Sequence, residues 1–314
     1  TGALSWHWIF LVNLPIGVAV YALCVALLPP HHGDRSGKRL DVAGAVSVTA
    51  ALMLAVYGVV NGNEAGWGST QTIVLLGAAA LLFVVFLGFE SRVRDPLVPL
   101  ALFRLRNVAT ANVAGVFWAA AMFAWFFISA LYLQLVLGYS PMQVGLAFLP
   151  ANLIMAAFSV GLSARLVMRF GIRWPLAAGL LIAAVGLMCF ARAPVGGDFV
   201  VHVLPGMLLL GLGAGIAFNP MLLAAMSDVR PEDAGLASGV VNTAFMMGGS
   251  LGLAVLASLA AARTGTQLAA GAPQAAALNA GYQLAFVVGA VFAAVAALLG
   301  AVFLRPGAAA SGHP

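Results

Sequence analysis

Nine carboxylates, five histidines and two cysteines are the side chains of this 314-residue chain that could carry acid–base, metal or nucleophilic chemistry. Their spacing assembles none of it. Asp34, Asp41, Glu64, Glu90, Asp95, Asp198, Asp228, Glu232 and Asp233 fall between long apolar runs or at their ends. His7 and His202 stand near run ends, and His31, His32 and His313 lie outside the runs. Cys24 and Cys189 are embedded in apolar sequence, where a thiol behaves as a small buried hydrophobe, so neither a disulfide nor a metal site is expected. An intramembrane enzyme needs nucleophiles, bases or ligands within reach of one another. The chain has no His-Glu-x-x-His, no Gly-x-Ser-x-Gly and no paired aspartates on facing runs, so no catalytic residue, metal or cofactor is assigned. An ionisable group at mid-membrane would mark a proton relay. None stands there, and no residue of this chain is assigned to proton coupling.

The elements that could position anything are apolar helices. Hydrophobic residues make up 63% of the chain and charged ones 7%, with a mean hydropathy of +1.07, whereas a soluble domain is roughly a quarter charged. About twenty apolar residues suffice to cross roughly 30 Å of hydrocarbon. Reading such runs against the breakers between them predicts nine spans, at 6–28, 41–61, 70–89, 109–137, 142–164, 174–192, 199–226, 234–260 and 281–304. The fold class is therefore all-α integral membrane, and the lipid bilayer is the principal partner.

A net charge of +5 and a pI near 9.8 could point to nucleic acid, but the basic residues form no continuous face, and no nucleic-acid partner is expected. They sort instead by topology. Alternate loops hold 12 of the 14 Lys and Arg residues, and the intervening loops hold only Arg192 and Arg263. The positive-inside rule then places the basic set and the C-terminus in the cytoplasm, in a multi-pass protein of the cell membrane. Gly211, Gly213 and Gly215 mimic a phosphate loop only in glycine content, since no Lys-Ser/Thr follows. Small residues four apart let membrane helices approach closely, so the pairs Gly211 and Gly215, Gly235 and Gly239, and Gly248 and Gly252 are expected at helix crossings.

Several stretches, in order along nearly the whole chain, resemble one family. Ser5-Trp6-His7-Trp8-Ile9-Phe10 with Asn13-Leu14-Pro15-Ile16-Gly17 looks like the opening of its sixth helix, with His7 where Arg is usual. Leu40-Asp41 with Gly44, then Gly66-Trp67, resembles an extra helix pair between two six-helix halves. Glu90, Asp95-Pro96-Leu97-Val98-Pro99-Leu100 and Leu102-Phe103-Arg104 are similar to its cytoplasmic linker. Tyr132-Leu133-Gln134, Gly138, Ser140-Pro141, Gly145 and Leu149-Pro150 look like the first hairpin of the second half. Asp233-Ala234-Gly235-Leu236-Ala237-Ser238-Gly239, with Asn242 and Gly248-Gly249, looks like the penultimate helix. The family is that of the fourteen-helix drug:proton antiporters of the major facilitator superfamily, the EmrB/QacA type.

The resemblance implies a partial major facilitator fold of about nine helices. Residues 1–28 would be the last helix of an N-terminal bundle, 29–108 two linker helices and a cytoplasmic connector, 109–305 the C-terminal six-helix bundle, and 306–314 a cytoplasmic tail. The chain opens on Thr1, and the family's first five helices, which carry its coupling acids, are expected to be missing. The basic loop with Arg165, Arg169, Gly171 and Arg173 resembles the superfamily's cytoplasmic gating loop, although Met168 stands where an acid usually precedes the central Arg. These arginines could equally serve topology alone. The implied activity is proton-coupled efflux of small amphipathic substrates by alternating access, with protons and substrate as partners. Asn112, Met122, Phe126, Ser129, Asn152, Met155, Asn219, Asn242 and Met246 are the candidates for the cavity wall; Asn112, Phe126 and Ser129 fall near one face of a 3.6-residue helix. For each, the competing reading is helix–helix bonding for Asn or Ser, and packing or lipid contact for Met or Phe. Two further readings stand beside the drug pump: a dedicated exporter of a self-made metabolite, or an inactive fragment.

Overall fold

The computed structural model describes residues 7–27, 41–93, 96, 98, 100–227, 229–230 and 233–305. The expectations placed on 28–40, on parts of the connector and on the tail lie outside them. Contacts divide the chain into two units, Thr1–Leu40 and Asp41–Pro314. In the first, a short turn α1 (Trp8–Leu11) precedes α2 (Asn13–Leu27), which has no buried residue and is apolar after Asn13 apart from the Tyr21 hydroxyl. Such a helix presents its whole circumference to lipid or to other helices.

The second unit holds α3 (Val42–Ala65), α4 (Thr70–Glu90), α5 (Arg106–Leu131), α6 (Pro141–Ala157), α7 (Ser163–Phe170), α8 (Arg173–Phe190), α9 (Leu204–Met226), α10 (Ala234–Ala269) and α11 (Gln274–Phe303). Among the described residues, eight helical segments are long and apolar enough to cross a membrane; Asn13–Leu27 is a shorter apolar helix. Polar residues set the helix starts. Asp41 accepts from the Gly44 N–H at 2.8 Å, Ser69 accepts from the Thr72 N–H at 3.2 Å, and Ser140 with Gln143 closes a reciprocal capping box. The apolar runs fell short of several helices, most at α6–α7, which runs to Phe170 against an expected 164, and at α10 and α11. α10 continues from the expected 260 to Ala269, and α11 begins at Gln274 rather than 281. Residues 261–269, mostly exposed and including Arg263, form a helical overhang that hydrophobicity cannot detect.

α3 and α4 form a hairpin, turned at Gly66 (φ +91°) and tied by the Asn61 amide donating to the Thr72 hydroxyl at 3.3 Å. The other helices pack in a patterned way: α5 on α10 and α11, α6 on α9, and α8 on α9 and α11. Exchanging α5, α6–α7 and α8 for α9, α10 and α11 carries the α5–α10 contact onto α6–α9 and the α8–α9 contact onto α5–α11. Two three-helix repeats related by a pseudo-two-fold axis produce this adjacency. Glycine makes the crossings close. A Cβ on Gly248 would lie 2.7 Å from the Val116 Cα, and one on Gly252 would overlap Ala120; on the other side, Gly211 faces Ala151 and Gly215 faces Met155. Gly179 and Gly186 on α8 meet Gly213 and Gly206 on α9 in the same manner.

Between these crossings lies an aromatic core, with Trp118, Trp125, Tyr132, Phe190 and Phe286 almost fully buried. The loop after α8 is held by side chains reaching across it. Asn279 and Gln283 on α11 both donate to the Ala193 carbonyl, at 3.1 and 3.0 Å, and the Tyr132 hydroxyl donates to the Pro194 carbonyl at 2.8 Å. Removing both amides (Asn279→Ala with Gln283→Ala) strands a buried carbonyl, which costs about 1–3 kcal/mol. The double variant is expected to unfold at lower temperature in detergent while either single variant, which leaves one donor, shifts much less. Equal shifts in all three would mean the carbonyl needs neither amide.

Candidate functional site

Residues 238, 241, 242, 245 and 246 of α10 recur at helical spacing and therefore share one face. That face meets α9 and α5 around a hollow of about 290 Å³. Ser238, Val241, Asn242, Phe245 and Met246 line it from α10, Phe218, Met221 and Leu222 from α9, and Trp118 from α5. Among the described residues no ionisable side chain lines it. Ser238 and Asn242, both exposed, supply polar side chains against a wall of aromatic rings, methionine sulfur and alkyl groups. Such a surface binds by burying apolar area, adapts through its flexible methionines, and orients a ligand through a few hydrogen bonds. Trp118 is nearly fully buried behind it, and its indole N–H has no hydrogen-bond partner among the described residues.

Of the residues expected at a cavity wall, Asn242 and Met246 line this hollow, both exposed on α10. The others are placed differently. Asn112 is buried and donates to the Val108 carbonyl of its own helix at 2.9 Å. Ser129 is fully buried, and its hydroxyl has no partner among the described residues. Phe126 lies 4.3 Å from the Trp125 ring and stacks on Phe148 at 5.5 Å. Met122 and Met155 pack against the core, and Asn152 is half-buried on α6. Asn219 donates to the Ser159 carbonyl at 2.6 Å. That carbonyl belongs to the π-helical turn Phe158–Leu162 joining α6 to α7, a turn also held by Ser163 donating to the Ile216 carbonyl at 3.0 Å. Asn219 is therefore a clasp between α9 and the widened turn, where backbone groups leave the regular ladder and take a side-chain partner instead.

The glycine pairs also separate. Gly211, Gly215, Gly248 and Gly252 sit at crossings, but a Cβ on Gly235 or Gly239 would meet nothing within 4 Å. The expectation that these two pack is corrected: this part of α10 borders a cavity instead of a helix. In the basic loop, Arg165 is exposed, the Arg169 guanidinium lies 5.4 Å from the Phe170 ring, and that of Arg173 lies 5.2 Å from the Trp174 ring. Gly171 ends α7 at φ +72°, ψ −175°, while its N–H closes onto the Val167 carbonyl at 2.8 Å. Only glycine occupies that backbone region without strain. Gly171→Ala is expected to cost about 1–3 kcal/mol and to loosen the loop, measurable as faster proteolysis at Arg169 and Arg173; an unchanged cleavage rate would contradict this.

Trp118, Phe218, Met221, Leu222, Val241 and Phe245 escaped the sequence reading. Trp118 alone carried a signal. Tryptophan favours the membrane interface, and this one falls near the middle of the 106–136 span.

A family model described as the Major Facilitator Superfamily matches residues 1–253. Among curated proteins, the chain is 36% identical over 302 residues to the cephamycin export protein CmcT of Amycolatopsis lactamdurans, covering 95% of this chain and 60% of that protein. It is 33% identical over 304 residues to the puromycin resistance protein pur8 of Streptomyces alboniger, covering 96% and 60%. It is 35% identical over 260 residues to the multidrug resistance protein Stp of Mycobacterium tuberculosis, covering 82% and 47%. The chain thus spans at most about 60% of the length of these relatives.

Proposed function

Because the chain belongs to the major facilitator superfamily, a family of multi-pass membrane transporters and not of enzymes, we propose that it forms part of an exporter moving small amphipathic molecules out of the cell by proton antiport. In this reading the protein is of the fourteen-helix EmrB/QacA type and sits in the cell membrane with its C-terminus in the cytoplasm. Residues 109–305 are the C-terminal bundle, 29–108 the linker hairpin and connector, and 1–28 the last helix of the N-terminal bundle. The hollow between α5, α9 and α10 carries the proposal. It is apolar, aromatic and methionine-rich, has a small polar complement and holds no fixed charge, as one wall of a cavity for amphipathic compounds requires. Alternating access would come from rocking the two bundles about this wall. No carboxylate stands within an apolar run, so this wall contributes binding, and the protonation step is assigned elsewhere.

Dye efflux from energised cells expressing the gene for this chain tests the proposal. Efflux that collapses on adding a protonophore supports it, and gradient-independent efflux or none across a dye panel contradicts it. A second reading, dedicated export of a single metabolite, is favoured by relatives whose names refer to one antibiotic each, such as cephamycin and puromycin. Efflux of one compound class and of no general dye would select that reading.

A further inference from the structure

Two irregular points of the bundle face each other. Pro220 is buried inside α9. Proline has no N–H, so the Ile216 carbonyl four residues earlier loses its helical donor, and the ring presses on that carbonyl and bends the helix. Opposite stands the π-helical turn Phe158–Leu162 between α6 and α7. There the Ser163 N–H closes on the Phe158 carbonyl, five residues back, so the Ser159 carbonyl loses the donor a regular α-helix would give it. Each helix supplies what the other lacks. The Ser163 hydroxyl donates to the Ile216 carbonyl at 3.0 Å, and the Asn219 amide donates to the Ser159 carbonyl at 2.6 Å. Gly215 brings the two backbones together, since a Cβ on it would stand 2.7 Å from the Met155 carbonyl oxygen and 3.1 Å from the Phe158 Cβ.

A carbonyl left without a donor among membrane helices is costly, so each irregularity depends on the other helix being in register. The bend of α9 is thereby fixed by its contact with α6–α7. This fixed point lies within the stretch that faces the hollow: Phe218, Met221 and Leu222, on either side of Asn219 and Pro220, line it. On the partner helix, Ser163 begins α7, which carries Arg165 and Arg169 toward the basic loop.

We propose that Ser163 and Asn219 are positioning residues: together they lock the proline bend of α9 and so set where Phe218, Met221 and Leu222 stand in the hollow. Its meaning for transport rests on the reading of that hollow as a substrate wall; the clasp itself does not. The test is a double-mutant cycle on the purified full chain in detergent, with Cys24 and Cys189 replaced by serine. Ser163→Ala should lower the unfolding temperature by several degrees when Pro220 is present. It should cost far less beside Pro220→Ala, where a backbone N–H restored at position 220 serves the Ile216 carbonyl. Recovery of a folded Ser163→Ala chain only beside Pro220→Ala would be the same result at its extreme. Asn219→Leu should be destabilising in both backgrounds, because the restored N–H does not reach the Ser159 carbonyl. Pro220→Ala alone keeps every carbonyl paired yet removes the bend, so the rate at which a maleimide labels Leu222→Cys should change by a factor of about three or more. Leu268→Cys, on the α10 overhang, should label as before. In efflux, Pro220→Ala should raise KM about tenfold with kcat little changed. An equal cost of Ser163→Ala in both backgrounds would overturn the clasp. Unchanged labelling at position 222 and an unchanged KM in Pro220→Ala would overturn the positioning role and leave the export reading standing. Altered labelling at 222 in a protein that exports nothing would support the positioning role and contradict the export reading.

Discussion

Gly252→Val is expected to remove the folded, monodisperse protein from a fluorescence-detected size-exclusion profile, while Gly239→Val on the same helix leaves the profile unchanged. Any side chain at Gly252 begins inside Ala120, and the clash cannot be relieved by a rotamer because alanine has none and the next atom met is its Cα at 2.6 Å. The two backbones must separate. α5 packs against α10, α11 and α9, so the strain spreads through the centre of the bundle. Ordinary overpacking costs about 1–3 kcal/mol, and a shift of whole helices costs more, set against a total stability of about 5–15 kcal/mol. In lipid there is no hydrophobic force to pull the helices back together, so close packing is what holds them. Gly239 has open space at its Cβ and serves as the control. Equal profiles for the two variants would mean that α5 and α10 are not in close contact.

Met246→Trp is expected to lower efflux at least tenfold, with the amount of folded protein unchanged. The side chain is 47% exposed, so its enlargement displaces no core atom, and an indole occupies much of a 290 Å³ hollow. Losing about 1.4 kcal/mol of ligand binding accounts for a tenfold change. Met246→Leu keeps the volume and the apolar character and should transport close to wild type. Undiminished efflux by Met246→Trp at matched expression would exclude the hollow from the substrate path.

The two outcomes draw on different layers of sequence information. The helices were legible because a run of apolar residues in a chain that is 7% charged can only be a span, and the basic residues repeat the alternation independently. Their ends were less so, since the α10 overhang carries Arg263 and Gln267 and carries no hydrophobic signature. The close crossings at Gly211, Gly215, Gly248 and Gly252 followed from four-residue spacing, yet the same spacing at Gly235 and Gly239 borders a cavity. Spacing gives the face of a helix and not what stands opposite it. The asparagines show the same limit. Asn242 faces the hollow, Asn112 bonds its own helix and Asn219 clasps a π-helical turn 60 residues away in sequence, although all three look alike in an apolar run. Most of the hollow's lining is ordinary Phe, Leu, Val and Met, which sequence cannot distinguish from lipid-facing residues.

The central claim, that the α5–α9–α10 hollow is a substrate wall, is tested most directly by substrate protection of Asn242→Cys from a membrane-permeant maleimide. Cys24 and Cys189, both free thiols, are replaced by serine, and Arg169→Cys in the exposed basic loop is the control. The compound found to be exported, supplied at ten times its dissociation constant, should slow labelling at position 242 about tenfold, in proportion to occupancy, and leave position 169 unaffected. Labelling at 242 that proceeds at the same rate with and without the compound, while efflux of that compound continues, would contradict the claim.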